Sequence, residues 1–256
     1  MNDLVKVELR DGILEIVLNR PDKKNALTAD MYRALVAAFH LGNHENAARV
    51  ILIRGQESAF TAGNDLGDFL NNPPQDMDAP VMQLLRLLPG IAKPLVAAVG
   101  GPAVGIGTTL LLHCDYVVAA DNARFQLPFV NLGLCAEGAS SFLLPLLLGQ
   151  RRAAELLLLG EPFGAAQALD MGLANKVVAP GELCAAAEEV AIKLAAKPAA
   201  AVRATKQLMK GHWHDAVRNA VEAEAHQFLA RLSSPEAKEA FQAFLEKRQP
   251  DFTRFG

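Results

Sequence analysis

Lys93-Pro94-Leu95-Val96-Ala97-Ala98-Val99-Gly100-Gly101-Pro102-Ala103-Val104-Gly105-Ile106-Gly107-Thr108-Thr109 holds a short apolar run, a glycine-rich turn and the start of a second apolar run. Residues 94–99 show no polar alternation, as in a strand buried on both faces. Residues from about Gly107 to His113 read as an apolar helix. Strand, glycine turn and helix together are the building unit of an α/β fold. The turn sets backbone N–H groups at a helix N-terminus, where the dipole favours negative charge. A dinucleotide fingerprint does not close here: after Gly105-x-Gly107 the third glycine position holds Leu110, and no acid follows at ribose distance.

The same grammar extends outward. Residues 4–9 and 13–18 alternate apolar with polar side chains around Asp11-Gly12, a hairpin turn. Thr28 caps a helix expected to reach about His40, and residues 49–53 form a buried strand. Downstream, strands are expected at Tyr116–Ala119, Arg124–Leu127 and Lys176–Val178, with helices at Phe142–Leu148 and Ala153–Leu159. Past Pro180 the chain becomes Ala-rich and helical in period over 183–196, 199–210, 214–232 and 235–248. The expected organisation is an α/β core over 1–180 and a helical region over 181–256. The Ala faces point to close helix packing or a subunit contact.

Composition narrows the class. Among 256 residues, 51% are hydrophobic and 21% charged, and 25 basic against 28 acidic residues leave a net charge of -3. There is enough apolar surface to order the chain, and no positive field to attract nucleic acid. Three scattered cysteines, Cys114, Cys135 and Cys184, are no disulfide framework and agree with a reducing compartment. Neither the Met1-Asn2-Asp3-Leu4 start nor the Arg254-Phe255-Gly256 end reads as an address, and no apolar run reaches membrane-spanning length. A cytoplasmic protein free of membranes is expected. His212-x-His214 is no metal pair, because helix positions two apart do not share a face.

Two further stretches carry candidate chemistry. Ala59-Phe60-Thr61-Ala62-Gly63-Asn64-Asp65-Leu66 follows a buried strand with little side-chain bulk. It reads either as an ordinary turn capped by Asp65 or as a backbone presenting N–H groups to a ligand. Phe129-Val130-Asn131-Leu132-Gly133-Leu134-Cys135-Ala136-Glu137-Gly138-Ala139-Ser140-Ser141 places one carboxylate between apolar runs. Glu137 is either a helix N-terminal charge or an acid/base group.

Taken in order, Asn19-Arg20-Pro21, Asn25-Ala26-Leu27, Phe60-x-Ala62-Gly63-x-Asp65-Leu66, Lys93 to Gly101 and Cys114-Asp115 resemble the crotonase superfamily of enoyl-CoA hydratases and isomerases along nearly the whole chain. The resemblance implies a spiral of ββα units with a helical C-terminal part, assembled as a homotrimer or dimer of trimers. It also implies an acyl-CoA thioester as substrate, with no separate cofactor and no metal. By position, the backbone N–H groups of Asn64 and Ile106 would receive the thioester oxygen. Lys23, Lys24, Ala26, Leu27, Phe244 and Lys247 would meet the CoA portion. Ala62, Gly63, Asp65, Leu66, Gly105 and Phe129 would frame the site. Phe69, Met82 and Leu85 line either the acyl pocket or plain core.

Departures from the hydratase pattern narrow the reaction. The two positions where hydratases of this family carry glutamates hold Thr109 and Phe129. The carboxylate stands instead at Glu137, in a run resembling the peroxisomal-type Δ3,Δ2-enoyl-CoA isomerases. That resemblance implies a double-bond shift with Glu137 as the proton carrier. Other acyl-CoA reactions, hydration or thioester hydrolysis among them, and an inactive acyl-CoA-binding relative are the alternatives. A helix N-terminus would lower the Glu137 pKa and an apolar pocket would raise it; the sequence leaves the outcome open.

Overall fold

The computed structural model describes residues 3–255; Met1, Asn2 and Gly256, which enter the readings of the two termini, lie outside them. In chain order the chain forms β1 (Val5–Arg10), β2 (Ile13–Leu18), α1 (Ala29–His44), β3 (Val50–Arg54), α2 (Leu66–Asn71), α3 (Pro80–Leu87), β4 (Leu95–Val99), β5 (Pro102–Val104) and α4 (Ile106–Thr109). Next come β6 (Tyr116–Ala120), β7 (Arg124–Gln126), α5 (Ser140–Leu148), α6 (Gln150–Ala154), β8 (Phe163–Gly164), α7 (Ala165–Asp170), β9 (Lys176–Val178), α8 (Leu183–Ala195), α9 (Ala199–Gly211), α10 (His214–Leu232) and α11 (Pro235–Leu245).

The larger sheet runs β1-β2-β3-β4-β6-β9. Its first pair is the expected antiparallel hairpin, turned at Asp11 and Gly12, both at positive φ. The remaining pairs are parallel. Side chains alternate between faces. One face presents Leu14, Ile16, Ile51, Ile53, Leu95, Ala97 and Val117 to the core shared with α1 and α3. The other presents Val50, Leu52, Val96, Ala98, Val118 and Ala120, covered by Leu183, Ala186, Ala187, Ala191 and Ala195 of α8. Burial on both sides explains why these strands read as unbroken apolar runs. One of the expected Ala faces thus packs onto the sheet.

Of the second sheet, β5-β7-β8, only the middle strand β7 was legible in the sequence, expected over Arg124–Leu127 and found over Arg124–Gln126. Residues 102–104 read as part of a glycine turn, but they pair in parallel with Arg124–Gln126. A three-residue strand opened by Pro carries little local signal; its partner, some 20 residues on, makes it a strand. Helices α2, α3 and α7 were likewise not marked out by pattern, being only six to eight residues long. The expected helix over 153–159 is α6 continuing into one π-helical stretch, Glu155–Leu159. The four C-terminal helices lie where their Pro and Gly breaks put them. Among the described residues no helix is long and apolar enough to cross a membrane.

Candidate active site

The motif around Asn25 shapes one wall. Asn25 is fully buried, and its amide donates to Gln56 Oε1, Ala59 O and Phe60 O at 2.8–3.0 Å. Its Oδ1 accepts the Arg20 N–H at 2.7 Å. Arg20 in turn bonds Ala26 O and the Asp65 carboxylate, at 2.9 and 2.6 Å. Asp65 accepts the Asp68 N–H and so caps α2; its pKa is lowered, with its hydrogen bonds to the Asp68 N–H and to Arg20 outweighing desolvation. Of the two readings of the Asp65 loop, the helix cap is what the structure shows.

That loop is zipped between two neighbours. Thr61 N–H donates to Pro102 O, and Val104 N–H to Thr61 O; Leu27 N–H donates to Gly63 O, and Asp65 N–H to Leu27 O. Gly63 has φ +86°, and a Cβ there would lie 2.9 Å from Val104 O. Only glycine lets the two turns approach this closely. The zipping spends the N–H groups of residues 61, 63 and 65 but leaves those of Asn64 and Ile106 without an acceptor among the described residues. Ile106 is the first residue of α4, where an unspent N–H is normal. Tyr32 of α1, buried, fixes the Asn64 side chain by donating its hydroxyl to Oδ1 at 2.5 Å.

These groups border one cavity of about 670 Å³. Its lining includes Lys23, Ala26, Ala62, Gly63, Asn64, Asp65, Leu66, Gly105, Ile106, Phe129, Glu137 and Phe244 from the expected set. Phe69, Met82 and Leu85 line it too, while also belonging to the core. Three expected residues stand off its wall. Lys24 points to solvent from a left-handed position at which its carbonyl accepts the Ala62 N–H. Leu27 is a core side chain that contributes its backbone to the loop. Lys247 is exposed, at φ 55°, just past the end of α11. Phe228 and Phe241, from α10 and α11, complete the apolar wall around Phe69. No local motif announced them.

Glu137 is only 5% exposed. Thr109 donates its hydroxyl to Oε1 at 2.5 Å. Gly138 permits this contact, since a Cβ there would sit 3.0 Å from Thr109 Cβ and Oγ1. Burial pushes the carboxyl pKa up to about 8; the Thr109 bond pulls it down and the nearby Glu224 charge pushes it further up. The helix N-terminus does not win because α5 begins only at Ser140 and its first N–H groups are taken elsewhere: Ala139 and Ser141 N–H donate to Glu224 at 2.6 and 2.8 Å. A carboxyl with a pKa about one unit above neutrality is mostly protonated at pH 7 but keeps an ionised fraction, so it can both take and give a proton. Among the other lining residues Asp65 is the second carboxylate, already paired with Arg20. Cys135 packs against Glu224 O away from the cavity, its thiol pKa raised by burial.

Residues 8–254 match the family described as enoyl-CoA hydratase/isomerase. The structure of OdaA from Pseudomonas aeruginosa is 45% identical with a TM-score of 0.93, over 95% of this chain and 99% of that one. The crotonyl-CoA hydratase of Syntrophomonas wolfei is 32% identical over 96% of both chains. The human enoyl-CoA delta isomerase 2 is also 32% identical, over 94% of this chain and 63% of the human protein. Relatives with different reactions are thus equally similar, and what they share along this length is the family: the chain belongs to the enoyl-CoA hydratase/isomerase family, the crotonase superfamily.

Proposed function

We propose that this family enzyme is a Δ3,Δ2-enoyl-CoA isomerase, shifting the double bond of a 3-enoyl thioester to the 2-trans position. The observation that carries the reading is Glu137, among the described lining residues the one carboxyl without an ion-pair partner, buried and bonded to Thr109. Hydration needs one group to activate water and another to handle the α proton. Here the second group is a hydroxyl already spent on the first, and Phe129 adds apolar bulk.

A double-bond shift needs one proton carrier. The C2 proton is both α to the thioester carbonyl and allylic. Ionised Glu137 takes it, and charge moves through a dienolate to the thioester oxygen. The unspent N–H groups of Asn64 and Ile106 receive that charge; losing one such donor typically costs ~3–4 kcal/mol of transition-state stabilisation. The now neutral Glu137 returns the proton at C4. Lys23 and Phe244, at the cavity rim, meet the CoA portion. The homotrimer or dimer of trimers implied by the family belongs to the same proposal, with exposed Leu146, Leu147, Met209 and Trp213 supplying apolar surface.

The test is spectroscopic. A 3-enoyl-CoA should become a conjugated 2-enoyl thioester, and Glu137→Gln should abolish this. Water addition to a 2-enoyl-CoA by the wild type at a comparable rate, or by the variant, would contradict the reading.

A further inference from the structure

Glu137 opens a strained turn. Gly138 and Ala139 both stand at positive φ, 69° and 61°, and Ala139 pays for that with its Cβ. Three elements hold it. His113, following α4, donates Nε2–H to Gly138 O at 2.8 Å. Ser140 donates its hydroxyl to Glu137 O at 2.7 Å. From α10, 85 residues away, Glu224 receives Ala139 N–H and Ser141 N–H on its two oxygens. Glu224 is 7% exposed and lies beside Ala225, which lines the cavity.

We propose that Glu224 is a positioning residue for the proton carrier. It takes the positive head of α5, locks the Gly138–Ala139 turn, and leaves the Glu137 carboxyl turned toward Thr109 and the cavity. Without it, the nearest anion to that helix head is Glu137 itself. The inference rests on the isomerase reading for Glu137's role, though its geometry does not.

The other groups facing this pair are few. Thr109 from α4 and Tyr32 from α1 face Glu137, and the Tyr32 pKa is raised by burial and by the Glu137 charge. Cys135, on the same loop, senses both glutamates and Arg231. His113 is held neutral, its pKa lowered to about 4 by burial, with Lys210 and Lys206 adding to the effect. The N–H groups of Ala139 and Ser141 fit an ionised Glu224, although desolvation raises its pKa.

Carbon-13 NMR of glutamate-labelled protein without substrate reads the proposal directly, with Glu137→Gln assigning the Glu137 signal. In the wild type, Glu224 should ionise first and Glu137 last; the reverse order would overturn the proposal even if no variant folds. In Glu224→Gln the Glu137 midpoint should fall by about one pH unit, and Glu224→Asp should largely restore it. A midpoint unchanged in Glu224→Gln, with only thermal stability lost, reduces Glu224 to a structural cap and refutes positioning. Failure of the wild type to convert 3-enoyl-CoA sinks the isomerase but leaves these titrations standing.

Discussion

The Thr109 hydroxyl donates to Glu137 Oε1 at 2.5 Å, joining α4, which also carries the Ile106 N–H, to the turn before α5. The two residues are 28 apart in sequence, and this bond favours the ionised carboxyl in a site where burial disfavours it. Thr109→Val keeps the volume and removes the donor. A hydrogen bond to a charged group contributes about 1.5–3 kcal/mol, so the variant should lose roughly tenfold or more in kcat/KM at pH 7. The loss should shrink at high pH, because the midpoint moves up. An equal loss at every pH would contradict the pairing.

The wild-type pH profile follows from the raised carboxyl. With a pKa of about 8 in the free enzyme, only about a tenth of Glu137 is ionised at pH 7. The value of kcat/KM for 3-enoyl-CoA should therefore rise about tenfold per pH unit below 8 and level off above. A profile flat from pH 6 to 9 would show a carboxyl with an ordinary pKa.

Stability should run the other way. The folded-state pKa of Glu137, about 8, lies above its ordinary 4.5. The folded protein then holds more protons than the unfolded chain between those values, so this group lowers stability as pH rises from about 4.5 to 8. Glu137→Gln removes that dependence and should be more stable than the wild type by about 2–4 kcal/mol near pH 8, while matching it near pH 4. Denaturant titrations at the two pH values measure the difference.

Gly63→Ala tests the backbone platform. The added methyl would meet Val104 O at 2.9 Å in a backbone held at φ +86°, displacing the loop that presents the Asn64 N–H. The expected result is a loss of about 100-fold in kcat with native circular dichroism. Wild-type turnover in this variant would remove Asn64 from the mechanism.

Most of the elements are legible from neighbours in sequence. The Asp-Gly hairpin, the Thr28 cap, the two-sided burial of residues 95–99 and the Pro and Gly breaks of the C-terminal helices are all local signals. Asn64 and Ile106 come from the family resemblance by position, and the choice of Glu137 as proton carrier comes from the resemblance to the isomerase branch; the residues alone left Glu137 open between a helix N-terminal charge and an acid/base group. Strand β5 escaped, since three residues acquire strand character only from a partner about 20 positions on.

The sequence alone determined an α/β core with a helical C-terminal part, because periodicity is a property of adjacent residues, and the ordered motifs carried the resemblance to the family that the comparison then showed. Glu137 was singled out as the candidate carboxylate, its role left to the resemblance. Tertiary structure decided the direction of the Glu137 pKa shift, the placement of Lys24 and Lys247 off the cavity, and the parts played by Phe228, Phe241 and Glu224. Desolvation and hydrogen-bond partners come from elements tens of residues away, and no local pattern encodes which of them will close around a given side chain.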